Sequence, residues 1–247
     1  MLEALVEAFP TLALLAWEPP GWGANLMRGL GNSIQIALGA YALGLLIGTA
    51  GAFGKLNGGP VTRDMLAIYT TVVRAVPELV LILILYFAVT DLVNQGLVAM
   101  GYGRVQISGV AAGIAVLGVV QGAYSTEVIR GAILAVPAGQ LEAARAMGMP
   151  PARMAWRITL PLMLSNAIPG LANLWLIATK DTALLAIVGF AELTLQTRQA
   201  ASSTKAFLTF FLAAGVLYLL VTLVSTVIFG WIERWARRGQ RGHGAGQ

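Results

Sequence analysis

Four stretches of this chain run for more than twenty residues without an Asp, Glu, Lys or Arg: 29–54, 105–126, 158–179 and 206–232. A bilayer core of about 30 Å needs about 20 apolar residues in a helix rising 1.5 Å per residue, so each stretch is long enough to cross. A fifth region, 65–90, is interrupted by Arg74 and Glu78, with Pro77 between them, and is apolar over 65–73, apart from Thr70 and Thr71, and over 79–89. Proline removes one i to i−4 hydrogen bond, so this region reads as a span with a polar kink that Arg74 and Glu78, four residues apart, hold in place. The fourth stretch continues through Lys180, Asp181 and Thr182 to give a span over 158–190. In the first 28 residues an apolar run covers only 8–17, bracketed by Glu3, Glu7 and Glu18. That run is too short to span and follows no basic n-region, which argues against a cleaved signal peptide. It predicts an external or interfacial segment over 1–28 with Trp17 and Trp22 at headgroup depth. The expectation is an all-α membrane protein with about five transmembrane helices in one domain, 29–238, followed by a tail, 239–247.

Composition narrows the chemistry. The chain is 57% hydrophobic and 11% charged, against about 25% charged in soluble domains. It has no cysteine, and its single histidine, His243, lies in the tail, so disulfides, thiolate sites and multi-histidine metal centres are excluded. Neither G-x-x-x-x-G-K-[ST] nor G-x-G-x-x-G occurs. No catalytic residue, metal site or bound cofactor is expected, and any ATP hydrolysis belongs to another subunit. The net charge of +5 is better explained by topology than by nucleic acid. With the C-terminus cytoplasmic, 11 Lys and Arg fall inside and 4 outside, with Lys180 left in the fourth span, so the N-terminus is expected outside and the C-terminus inside. The pairs Gly44/Gly48, Gly109/Gly113 and Gly118/Gly122 allow close helix approach, either within one bundle or at a subunit interface.

The loop over 137–161 carries the clearest motif. Residues 141–147 favour a helix, Gly148 supplies a left-handed cap, and Pro150 and Pro151 suit the start of the next helix. Such a helix presents the small Ala143 and Ala144 to whatever docks there. The spacing Glu142-Ala143-Ala144, three residues, Gly148, nine residues, Ile158-Thr159-Leu160-Pro161 resembles the EAA loop of ABC importer permeases at every defined position. Arg74-Ala75-Val76-Pro77-Glu78-Leu79 is similar to the R-x-x-P segment of the polar amino acid permeases, although many relatives have glycine where this chain has Ala75 and Val76. Gly122-Ala123-Tyr124 through Glu127 and Arg130-Gly131 resembles their G-A-Y-x-x-E-x-x-R-G pattern, and Lys180-Asp181-Thr182-Ala183-Leu184 their K-x-T-[SA]-L segment. The chain is identified as similar to the histidine/lysine/arginine/ornithine and opine type of permease over residues 26–238.

The resemblance implies a type I ABC importer transmembrane subunit, multi-pass in the cytoplasmic (inner) membrane, whose cytoplasmic EAA helix couples it to an ATPase dimer. Glu142, Ala143, Ala144 and Gly148 would carry that coupling. A second permease subunit, with a heterodimer favoured and a homodimer open, and an extracytoplasmic amino acid binding protein would complete the assembly; ATP and Mg would be used by the ATPase. The cargo would be a polar amino acid, of basic or opine type, or another amino acid carried by the same class.

Ionisable residues inside spans are costly, which makes Lys180 and Asp181, with Thr182, candidates for the substrate path, the alternative being that Lys180 or Asp181 pairs with polar groups on a neighbouring helix. Lys180 suits a substrate carboxylate and Asp181 an ammonium or side-chain cation. Neighbours on a helix face apart, so at most one points straight into the path. Glu127 and Arg130, three apart, read as a structural ion pair with gating as the alternative, and Arg74, Pro77 and Glu78 likewise as structural. Asn166, Asn173, Gln121 and Tyr124 are uncharged candidates for the cavity wall or for interhelical bonds. A secondary transporter would need an inverted repeat and more spans, and a membrane enzyme a catalytic cluster; neither is present in the sequence.

Overall fold

A computed structural model describes residues 10–104 and 108–239. The first nine residues, the expected start of the third span at 105 and the tail 240–247 with His243 lie outside the described residues. After a 3-10 helix, Pro10–Leu15, come α1 Gly23–Asn57, α2 Pro60–Ala75, α3 Glu78–Ala99, α4 Gly109–Leu134, α5 Ala138–Ala146 and α6 Pro151–Met154. A π-helical turn, Ala155–Thr159, leads into α7 Leu160–Asp181, which a 3-10 helix, Thr182–Val188, extends; α8 Leu193–Thr204 and α9 Phe207–Ala236 complete the chain. Five of the described helical stretches are long and apolar enough to cross a membrane: α1, α3, α4, the composite Pro151–Val188, and α9.

The second of these corrects the expected span over 65–90. Val76 (ψ 138°) and Pro77 (ψ 133°) are both extended, so the chain breaks into two helices there instead of kinking within one. The cause is local: the proline ring excludes the residue before it from the helical region, and Pro77 has no N–H to carry the ladder on. With the turn interrupted, Arg74 and Glu78 lose their i, i+4 relation and form no ion pair. The π turn has a related origin. Pro161 cannot donate to the carbonyl four residues back, and Leu160 N–H reaches Ala155 O, five back.

Packing centres on α1 against α4. The two run parallel, since Gly39 meets Ile114, Gly44 meets Gln121, Gly48 meets Ser125 and Gly51 meets Thr126. The contact is reciprocal, with Gly113, Gly118 and Gly122 of α4 receiving Ile36, Leu43 and Ile47. Lipid supplies no hydrophobic force between helices, so close backbone approach and dispersion hold this pair. The Gly44/Gly48 and Gly118/Gly122 pairs are thereby used within one chain. Further ties come from Tyr41 Oη, which donates to Leu171 O at 3.0 Å, and from Trp175 Nε1, which donates to Ser225 Oγ at 2.8 Å.

At the end remote from α5, one acid organises three helices. Glu192 is fully buried and caps α8, accepting from Thr194 N at 2.8 Å and Leu195 N at 2.7 Å. Ser33 of α1 and Tyr218 of α9 donate to its Oε2 at 3.3 and 3.2 Å. Burial pushes this carboxyl above the usual carboxylate range, and the donated hydrogen bonds pull the other way. Replacing Glu192 with Ala removes a cap and strands buried donors, a loss of about 3 kcal/mol. Thermal unfolding of the detergent-solubilised protein should show it, with Glu192→Gln milder because its amide oxygen still accepts one backbone N–H.

Candidate functional site

The two interruptions of the spans face each other. One is the break after α2, where Glu78 opens α3; the other is the end of α7 at Asp181, where the helix tightens to 3-10. Between them lies the middle of α4. Tyr124 Oη donates to Glu78 Oε1 at 3.3 Å, and Gln121 Nε2 approaches Asp181 Oδ2 at 3.5 Å. Glu78 and Asp181 are themselves electrostatic neighbours. Neither carboxylate is in an ion pair among the described residues, although Asp181 is only 8% exposed. Gln121 Oε1 and Ser125 Oγ, both buried, have no hydrogen-bond partner. Two carboxyl groups close enough to share a hydrogen bond, a phenol and a half-satisfied amide at the ends of broken helices make a locus with more acceptors than donors, suited to a cationic group.

Of the expected path residues, Asp181 enters this cluster, and Lys180 is exposed on the other side of α7, as neighbouring positions require. Its hydrogen bond does not bring Thr182 into this cluster: the residue is buried and its hydroxyl donates to Thr179 O at 2.9 Å. Gln121 and Tyr124 join the cluster, whereas Asn166 and Asn173 are exposed on α7. Asn166, Asn173 and Lys180 are spaced by seven and fall on one helix face. A span with three polar residues on its open face is ill suited to lipid.

At the α5 end a second polar group lies where α1, α2 and α4 converge. Arg130 donates to Glu127 Oε2 through Nε at 3.0 Å and Nη2 at 2.8 Å, so the i, i+3 pair is formed. Its third member was not anticipated: Lys55 near the end of α1 donates to Glu127 Oε1 at 2.5 Å and to Thr70 Oγ1 of α2 at 2.6 Å. The signal was present as a lone lysine at the edge of the first charge-free stretch, but only the fold gives it a partner 72 residues away.

The EAA segment forms α5, and its end is a Schellman motif. Gly148, at φ +73°, donates to Arg145 O at 2.9 Å, and Met149 N donates to Ala144 O at 3.0 Å. Glu142 and Ala143 are exposed, and so is Met147, at 85%. Ala144 is 3% exposed, which corrects the expectation that both alanines are presented: adjacent helical positions point about 100° apart, and Ala144 takes the inward one.

The model for the binding-protein-dependent transport system inner membrane component matches residues 40–238. The chain is 40% identical over 234 residues to the nopaline transport system permease protein of Agrobacterium fabrum, covering 93% of this chain and 98% of that one. It is 36% identical over 214 residues to the histidine/lysine/arginine/ornithine transport system permease protein of Escherichia coli strain K12, covering 87% and 94%. Among solved structures, an amino acid ABC transporter with histidines superposes with a TM-score of 0.72 at 29% identity, over 86% of this chain and 94% of that one. The inward-facing MetNI methionine ABC transporter gives 0.70 at 19% identity, over 90% and 100%, a likeness of fold. With the helix order, the EAA segment and these matches in agreement, the chain belongs to the inner membrane components of binding-protein-dependent transport systems, as an ABC importer permease subunit.

Proposed function

We propose that this permease imports a basic or opine-type amino acid, and that the Glu78, Gln121, Tyr124 and Asp181 cluster receives the cationic side chain. The observation that carries the reading is the pair of carboxyl groups that form no ion pair among the described residues, held between broken helices beside a buried amide oxygen that has no donor among them. The names of the relatives, which are nopaline and histidine/lysine/arginine/ornithine permeases, point to the same cargo class. The exposed stripe of Asn166, Asn173 and Lys180 forms the wall of the path against a second permease subunit, a heterodimer being favoured, and Lys180 meets the substrate carboxylate. The α5 end is cytoplasmic, by the excess of basic residues there, and the N-terminus is external. A separate ATPase dimer using ATP and Mg docks on α5 through Glu142, Ala143 and the turn at Gly148, and an extracytoplasmic binding protein delivers the amino acid.

The test is uptake by the complete transporter in proteoliposomes. Asp181→Asn should raise the KM for arginine about tenfold, which corresponds to about 1.4 kcal/mol, and change that for a neutral amino acid less than threefold. Equal losses for the two substrates would count against the cation site. Lys180→Met should weaken uptake of both, because both carry the α-carboxylate.

A further inference from the structure

The Lys55, Glu127 and Arg130 group does more than neutralise charge. Glu127 divides its two oxygens between two tasks: Oε2 takes both Arg130 hydrogen bonds within α4, and Oε1 is left for Lys55 of α1. The Arg130 contact is intrahelical and relatively open, with 36% of its side chain exposed, so its effect is to fix the direction of Glu127. The Lys55 contact is the interhelical one; the Lys55 side chain is 11% exposed, and the same ammonium holds Thr70 of α2. A single, largely enclosed ammonium therefore ties α1, α2 and α4 together. Two of those elements lead directly to α5 and to the helix break. α4 ends at Leu134, three residues before α5 begins, and α2 ends at Ala75, immediately before the break that sets Glu78 in place.

We infer that the Lys55–Glu127 contact is the link that carries displacement of α5 to the broken helix, with Arg130 as its positioning residue. A push on α5 moves the end of α4; because Glu127 is locked to Lys55 and through it to Thr70, α2 moves with α4. The chain between α2 and α3 has no continuous hydrogen-bond ladder at Val76 and Pro77, so the motion is absorbed there, beside Glu78 and Asp181. Without the ammonium, Tyr69 Oη still donates to Val119 O and holds α2 against the middle of α4, but the tie from Glu127, nearer the α5 end of α4, is lost and displacement there reaches α2 only in part. The inference rests on the proposed docking of an ATPase at α5, and is independent of which amino acid the cluster accepts.

The experiment uses the full transporter, with its ATPase, second permease subunit and binding protein, in proteoliposomes. Lys55→Met should leave subunit co-purification and basal ATP hydrolysis within twofold of the unmodified complex. Stimulation by the loaded binding protein, and uptake with it, should fall at least fivefold. The ranking of amino acids should stay the same, which separates this outcome from a failure of the cation site. The exchange Lys55→Glu, Glu127→Lys and Arg130→Glu reverses the sign of the whole group, keeps both opposite-charge pairs and should recover at least half of the stimulation, and Arg130→Met alone should give an intermediate loss. Stimulation in Lys55→Met within twofold of normal overturns the inference. So does a loss of assembly in Lys55→Met that the charge exchange does not repair, since that would be a purely structural tie.

Discussion

Replacing Gly48 with leucine is expected to remove most folded protein from the membrane. A Cβ built on Gly48 meets the Ser125 side chain and then backbone, with Ser125 C at 2.9 Å and Thr126 N at 3.0 Å. A flexible side chain can turn aside at such a distance, but a helix backbone cannot, so α1 and α4 must separate along their most extensive contact. Overpacking a filled core costs about 1–3 kcal/mol where side chains can adjust. Here the whole interface shifts, against a total stability of about 5–15 kcal/mol. The recovered, monodisperse permease should fall about tenfold, read by fluorescence-detected size exclusion from detergent extracts. Gly31 is the control: it lies on the same helix, and a Cβ there meets nothing within 4 Å. Gly31→Ala should be neutral or raise stability by about 0.5 kcal/mol through helix propensity alone.

The same helix shows why much of this fold was legible from sequence. Transmembrane length and charge exclusion are long-range averages, and they located α1, α4, the composite fourth span and α9 with only their ends displaced. The second span failed because averages cannot separate a kink from a break. Hydropathy runs on through Val76 and Pro77, while the backbone angles of those two residues end one helix and start another. Gly48 illustrates a finer limit. Its four-residue spacing from Gly44 promised a close contact, but whether the contact lay within the chain or between subunits depends on where α4 packs.

The residues of the candidate cluster stand out in part in the sequence, but their pairing does not. Asp181 stood out because a charge inside a span is costly, and Glu78 because it follows a proline; that the two meet across 103 positions follows only from α3 and α7 flanking the same stretch of α4. Glu192 carries no mark in the sequence beyond its place just past the fourth span. Its burial could not be foreseen, because the donors that make burial tolerable, Ser33 and Tyr218, come from helices far away in the chain. Lys55 was missed for the same reason. Ala144 erred in the opposite direction: the motif marks both alanines as small, and smallness serves tight inward packing as well as docking.

The second large effect is expected at Gly148, and its cause is backbone geometry alone. A Cβ at this position meets nothing within 4 Å, so no steric clash with the rest of the fold would accompany a substitution. The strain comes from φ +73°, which costs an ordinary L-residue about 1–2 kcal/mol and a β-branched one more. Valine at 148 should drive this residue out of the left-handed region, break the hydrogen bonds from Gly148 N to Arg145 O and from Met149 N to Ala144 O, and release the end of α5. The spans lie outside this turn, so membrane yield and the thermal stability of the bundle should stay within normal variation. Asparagine, which tolerates the left-handed conformation, should retain at least half of the unmodified activity, and alanine should fall between the two. In proteoliposomes containing the complete transporter, Gly148→Val should lower ATP-driven uptake about tenfold or more and reduce co-purification of the ATPase. If valine and asparagine were equally damaging, the left-handed turn would not be what presents α5, and a direct contact of the partner with the bare glycine backbone would take its place.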